Sequence, residues 1–240
     1  MSYTCLKPYF RASMFITACV FCLSCQVAQR EENKSRISLK VRSFTASVKN
    51  KTWNTEKDSH FSYDTLDYDL DRMALVLVDV WERHPNGGWS ARAQRNIQEK
   101  IVPLLELTRR HNIKVIHAHH LYEGWELSKS IRPLPGETIL GPEIAQSTAL
   151  FDRFLQKAGI KTVLYAGYAS NYCVINRPVG IIPVSQLKKY NIIFVRDASL
   201  AFETPETVEG FWTHRVITNL IETQFGRSTT VDGLKTALDQ

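Results

Sequence analysis

The stretch "KTVLYAGYASNYCV", Lys161–Val174, carries an apolar run into a turn and then into Cys173. An apolar run without alternation is typical of a strand that is covered on both faces of a sheet. Three further runs have this pattern, at Met73–Val80, Lys114–His119 and Asn191–Ala198. Together these runs predict the buried strands of one sheet.

Helical patterns lie between the strand-like runs. Residues 90–111 repeat apolar side chains at helical spacing, and "TALFDRFLQKAG" ends at Gly159, as helices commonly do. A further helix is predicted from "TPETVEGFWTHRVITNLIETQFG", with Thr204 as its N-terminal cap. The alternation predicts an α/β fold of three layers, in which helices cover both faces of a mostly parallel sheet.

The composition is that of an ordinary globular domain, with 44% hydrophobic and 22% charged residues in a chain of 240. The formal net charge is +6, and residues 1–60 carry all of this excess because they hold ten basic and four acidic residues. Residues 61–240 are therefore electrically balanced. A balanced domain does not indicate nucleic-acid binding.

The first 25 residues have the features of a secretion signal. Lys7 and Arg11 precede an uncharged stretch, residues 12–24, that is too short to span a bilayer as a helix. Small residues precede Cys19 and Cys25, as in the signal of a bacterial lipoprotein, and either cysteine can be the lipidated one. An ordinary secretory signal with incidental cysteines is the alternative.

This pattern divides the chain into three parts. Residues 1–25 are predicted to be a signal peptide, residues 26–60 a polar tether, and residues 61–240 the folded domain. The protein is accordingly expected in the cell envelope, held to a membrane by a lipid anchor, or periplasmic or secreted if no lipid is attached. Assembly into a homo-oligomer is left open.

Cys173 is the only cysteine after residue 25. Ligands of parallel sheets bind at the carboxyl ends of the strands, where Asp79 and Cys173 are both predicted to lie. A helix N-terminus favours a thiolate, a nearby carboxylate can accept the thiol proton, and the N–H groups of a tight turn can stabilise an oxyanion. The alternative is that Cys173 is simply a small buried apolar residue.

Three motifs in order resemble those of the isochorismatase-like cysteine hydrolases, which include nicotinamidases and carbamoylsarcosine amidases. They are "LVLVDVW" with Asp79, "GYASNYCV" with Cys173 and "NIIFVRDAS" with Asp197. The resemblance covers about residues 73–232. It implies hydrolysis of a C–N bond in a small amide substrate, through a cysteine acyl-enzyme and an Asp–Lys–Cys triad, without an organic cofactor.

The resemblance also implies roles for single residues. Cys173 would be the nucleophile and Asp79 the general base. The Tyr168–Ala169 peptide would be cis, and it would direct the N–H of Ala169 toward the oxyanion beside the N–H of Cys173. Asp197 is expected to be structural and to hold the loop that follows it.

The chain departs from the family at the lysine of the triad. Gly141, before Pro142, stands where the lysine is expected, and Lys129 or Arg132 are candidates to replace it. Without a cation, Asp79 and Cys173 should share a proton. Gly141→Lys is then expected to raise a low amidase activity. The alternative is a catalytically impaired relative that keeps the fold and binds a small ligand.

Histidines and tryptophans near the predicted site allow further interpretations. His117 and His119 share one face of a strand and can bind zinc, but packing or substrate contact is the alternative, and no metal site is predicted. Trp81, Trp89 and Trp125 either line an aromatic substrate pocket or cover the edge of the sheet.

Overall fold

The computed structural model describes residues 35–45, 48–49, 52–53, 59–84, 87–119 and 126–240. The predicted signal peptide, with Cys19 and Cys25, lies outside the described residues, as does Trp125. Within the described residues, no helix is both long and apolar enough to cross a membrane.

The core of the fold is an eight-stranded, mostly parallel sheet, as the sequence predicts. Its strands follow the order β4-β1-β10-β9-β8-β5-β6-β7, and all neighbours from β10 to β7 are parallel. The strands, which include a separate pair β2-β3, are β1 (Arg36–Thr45), β2 (Val48–Lys49), β3 (Thr52–Trp53), β4 (His60–Asp69), β5 (Met73–Val78), β6 (Lys114–Ala118), β7 (Thr138–Ile139), β8 (Thr162–Tyr168), β9 (Asn191–Leu200) and β10 (Arg227–Thr229).

Helices cover both faces of the sheet, and a separate apolar cluster fills each interface. A π-helical turn at Ile97–Ile101 joins α1 to α2, and another at Ile221–Phe225 extends α7. The helices are α1 (Gly87–Asn96), α2 (Val102–Arg110), α3 (Pro142–Ala145), α4 (Thr148–Lys157), α5 (Cys173–Asn176), α6 (Ile181–Gln186), α7 (Trp212–Leu220) and α8 (Val231–Leu238).

Strand β1 lies within the stretch predicted to be a tether, so this part of the prediction is wrong. Its residues alternate, with Ile37, Leu39 and Val41 buried in the core. The strand pairs antiparallel with β10, where Arg42 lies opposite Ser228. The alternation in "RISLKV" has the period of a strand with one face in the core. It is short and lies among polar residues, so the segment as a whole is typical of a tether.

The last long helix begins later than the sequence predicts. Thr204 does not cap it, because α7 starts at Trp212 and positive φ angles at Gly210 (89°) and Phe211 (55°) interrupt the chain before it. The carboxylate of Glu203 accepts the N–H groups of Thr213 and His214, at 2.9 and 3.0 Å. A carboxylate from outside the helix thus satisfies its first donors.

Candidate active site

Strands β5 and β8 bring Asp79 and the turn before Cys173 to the same edge of the sheet. The two strands are parallel and in register, with Val78 opposite Gly167. Gly167 has a φ of 110°, and a Cβ at this position would lie 2.0 Å from the carbonyl oxygen of Val78. Only glycine permits this approach. Asp79 follows directly and is completely buried.

The turn between β8 and α5 contains the residues that the resemblance assigns to it. The peptide bond between Tyr168 and Ala169 is cis. The carbonyl of Ala169 accepts the N–H groups of Tyr172 and Val174, at 3.0 and 3.2 Å. The hydroxyl of Tyr168 donates to the side-chain oxygen of Asn96 at 2.8 Å. These bonds fix the turn from both of its ends.

Cys173 is a half-buried, free thiol with a strongly perturbed pKa. Burial raises its pKa to about 12, together with the charge of Asp79 and the hydrogen bond between the two side chains, while Arg177 and the N–H of Ala169 oppose the shift. The thiol is therefore protonated at neutral pH and donates to the carboxylate. The protonated thiol agrees with the expectation that the pair shares a proton, and the four-residue helix α5 does not offset burial and the charge of Asp79.

Arg177 is the cation of this site. Its Nη1 lies 2.9 Å from Oδ1 of Asp79 and donates to the carbonyl oxygen of Ala118 at 2.7 Å. The side chain is 11% exposed, and its Nη2 is buried without a hydrogen-bond partner among the described residues. The sequence patterns did not identify Arg177, which comes directly after α5 and has an extended backbone there.

The two residues predicted to replace the triad lysine do not provide this cation. Lys129 and Arg132 are both exposed, and the hydrogen bonds described next involve their backbone atoms. The amide of Lys129 donates to Glu82 at 2.9 Å, and the carbonyl of Arg132 accepts from Arg109 at 2.9 Å. Gly141 lies just beyond β7, immediately before α3, and leaves open space around its Cα.

Residues 73–224 match the model of the isochorismatase domain. The chain belongs to the isochorismatase family. The isochorismatase family protein YrdC of Bacillus subtilis (strain 168) is 26% identical over 117 residues, which are 43% of this chain and 63% of that relative. The chain thus spans less than two thirds of this curated relative.

Solved structures share the isochorismatase-family fold. A cysteine hydrolase from Pseudomonas syringae pv. phaseolicola has a TM-score of 0.55 at 20% identity, over 71% of this chain and 95% of the other. An isochorismatase from Pseudomonas putida KT2440 has a TM-score of 0.51 at 19% identity, over 68% and 90% of the two chains. At these identities the likeness establishes the fold.

His117 belongs to a hydrogen-bonded group of three side chains in this isochorismatase-family chain. Its Nε2 lies 2.9 Å from Glu137, which also accepts two bonds from Arg109, at 2.6 and 3.0 Å. Burial lowers the pKa of His117 and outweighs the attraction of Glu137, so the imidazole is neutral and donates. His119 is also buried. Among the described residues, no three His, Cys, Asp or Glu side chains are grouped as a metal site requires.

The two described tryptophans near the site are mainly packing residues. Trp81 and Trp89 are 6% and 4% exposed, and the ring of Trp89 lies 4.5 Å from that of Phe202. Trp89 also borders a cavity of about 440 Å³ with Phe202 and Arg92. Phe202 in turn contacts the ring of Tyr172, the neighbour of Cys173, at 5.6 Å. Trp89 therefore both covers the sheet and lines a cavity near the site.

Asp197 is a structural residue in this family member, but it holds a different segment from the one expected. Its Oδ1 accepts the N–H of Val231, the first residue of α8, at 2.9 Å. Its Oδ2 forms an ion pair with Lys100 at 3.1 Å. Asp197 thus connects β9 to two helices on one face of the sheet.

Proposed function

We propose that this chain is a cysteine hydrolase that cleaves the C–N bond of a small amide through an acyl-enzyme on Cys173. One observation carries the proposal. The thiol of Cys173 shares a hydrogen bond with the buried carboxylate of Asp79, beside the N–H of Ala169. This arrangement joins a nucleophile, a base and an oxyanion donor at one edge of the sheet.

In the first half of the reaction, Cys173 transfers its proton to Asp79 as the sulfur attacks the amide carbon. The electron pair of the C=O bond moves onto oxygen, where the N–H of Ala169 is the proposed donor. When the C–N bond breaks, Asp79 gives the proton to the leaving nitrogen. An amine and a thioester on Cys173 result.

In the second half, Asp79 accepts a proton from water, and the hydroxide equivalent attacks the thioester carbon. The C–S bond breaks and the proton returns to sulfur, which restores the thiol. The sum is amide plus water to carboxylic acid plus amine. The raised pKa of Cys173 suits this scheme, because a neutral thiol requires a base during attack.

Replacement of the nucleophile tests the proposal. We expect Cys173→Ala to lower ammonia release from a panel of primary amides and N-carbamoyl compounds roughly a thousandfold or more. Circular dichroism should show an unchanged fold, and mass spectrometry of the quenched wild-type protein should detect an acyl group on Cys173. Wild-type rates in the alanine variant would exclude the covalent mechanism.

A further inference from the structure

The carboxylate of Asp79 is completely buried, and a buried charge without a partner is strongly destabilising. Arg177 supplies that partner at 2.9 Å. Its second bond, to the carbonyl of Ala118, places the guanidinium at the ends of β5 and β6. Its backbone follows α5, the helix that Cys173 begins. One side chain therefore connects the base, the nucleophile's helix and the sheet edge.

We propose that Arg177 is the positioning residue that supplies the positive charge of the catalytic pair, in place of a lysine at position 141. This inference rests on the proposed cysteine-hydrolase function. Before attack, the charges of Asp79 and Arg177 cancel. After proton transfer to Asp79, the negative charge resides on sulfur or on the substrate oxygen, and Arg177 balances it there, so the site is neutral throughout.

The second nitrogen of Arg177 supports this role. Nη2 is buried without an acceptor among the described residues, and native proteins rarely leave such a donor unused. Nη1 alone makes both bonds, to Oδ1 of Asp79 and to the carbonyl oxygen of Ala118. Nη2 is therefore a charged donor that the pair with Asp79 does not use.

Position 141 offers a way to relocate the charge. Gly141 lies beyond the carboxyl end of β7, at the same edge of the sheet, and a Cβ there would meet no atom within 4 Å. A lysine at this position has space to extend. If Arg177 already holds the cationic role, Gly141→Lys should matter much more when Arg177 is absent, which is a coupling that a double-mutant cycle measures.

The cycle is measured by the alkylation rate of Cys173 in the full chain at pH 8.5, followed by mass spectrometry of the peptide that contains it. The charged groups that act on this thiol are Asp79 and Arg177. We expect Arg177→Gln to slow alkylation about tenfold, because each unit of thiol pKa changes the thiolate population tenfold below the pKa. Arg177→Lys keeps the charge and should stay within about threefold of wild type.

Gly141→Lys should raise alkylation about tenfold in the Arg177→Gln background and less than about threefold in the wild type. An equal effect in both backgrounds, or wild-type alkylation in Arg177→Gln, would overturn the proposal. If Arg177→Gln does not fold, the wild-type background alone tests the proposal. A rise of the alkylation rate above about threefold on Gly141→Lys would then show that the site lacked a cation, and the proposal would be wrong. Alkylation needs no turnover, so a failure to hydrolyse any amide refutes the proposed function separately.

Discussion

At the residue scale, Asp79 has two opposing effects on Cys173. As a base it can accept the thiol proton during attack. As a negative charge it makes the free thiolate less favourable, so that it adds to the effect of burial in raising the thiol pKa to about 12. Reactivity toward an alkylating agent and activity toward an amide should therefore respond differently to the loss of this carboxylate.

We predict that Asp79→Asn increases alkylation of Cys173 at pH 8.5 about tenfold, because the repulsion between carboxylate and thiolate is removed. Amide hydrolysis should fall roughly a hundredfold or more, because the general base is lost. Both rates are measured on the same preparations. Glu106→Gln, on the exposed side of α2, is the matched control and should change neither. A parallel fall in both rates would contradict this account of Asp79.

The site residues that sequence could identify all lie within short motifs. Cys173, Asp79 and the cis peptide belong to segments whose order and strand ends are readable along the chain. Arg177 could not be identified from sequence because its partner Asp79 is 98 positions away. Nothing in the local sequence indicates that this long side chain reaches back across the sheet edge. Register between distant strands decides such contacts, and local pattern does not encode it.

At the element scale, a hydrogen-bonded group of three side chains holds the segment that leads into β7 and then to Gly141. Glu137 receives two bonds from Arg109 of α2 and one from His117 of β6. Although burial opposes the shift, the hydrogen bonds from Arg109 and His117 lower the pKa of Glu137 to about 2. The neutral His117 contributes a hydrogen bond, and Arg109 is the counter-ion.

We predict that Glu137→Gln lowers the free energy of unfolding at pH 7 by about 2 to 3 kcal/mol, in line with the pKa shift of the carboxyl. The folded pKa lies below the unfolded value, so this contribution is complete above about pH 4.5 and disappears as the pH falls toward 2. Urea unfolding at several pH values measures the difference from wild type. Glu143→Gln, an exposed neighbour on α3, is the control. A difference that stays constant between pH 7 and pH 3 would contradict the linkage.

At the scale of the whole molecule, residues Ile37–Gln240 form one compact unit. The four central strands, β9, β8, β5 and β6, were predictable because continuous apolar runs mark them, whereas β7 and β10 have two and three residues and no such run. Strand β1 was not, since only every second residue is apolar and the segment follows polar sequence. Its position between β4 and β10 extends the sheet by contacts between distant parts of the chain. A chain that lacked β1 would expose one side of β10.

If β1 belongs to the folding unit, truncating one of its buried side chains should lower the free energy of unfolding as much as a core substitution elsewhere does. Leu39 is completely buried, and we predict that Leu39→Ala lowers the free energy of unfolding by about 3 kcal/mol, the usual cost of such a cavity. Lys40→Ala, on the exposed face of the same strand, removes a cation–π contact with Tyr63 at 5.3 Å and should cost less than about 1 kcal/mol. Both are measured by urea unfolding, with Leu75→Ala on β5 as the reference. Because one cooperative unit includes both strands, the Leu39 and Leu75 variants should each show a single transition with a similar loss. If Leu39→Ala lowers the free energy of unfolding no more than Lys40→Ala does, residues 36–45 are instead an appendage that docks without stabilising the sheet.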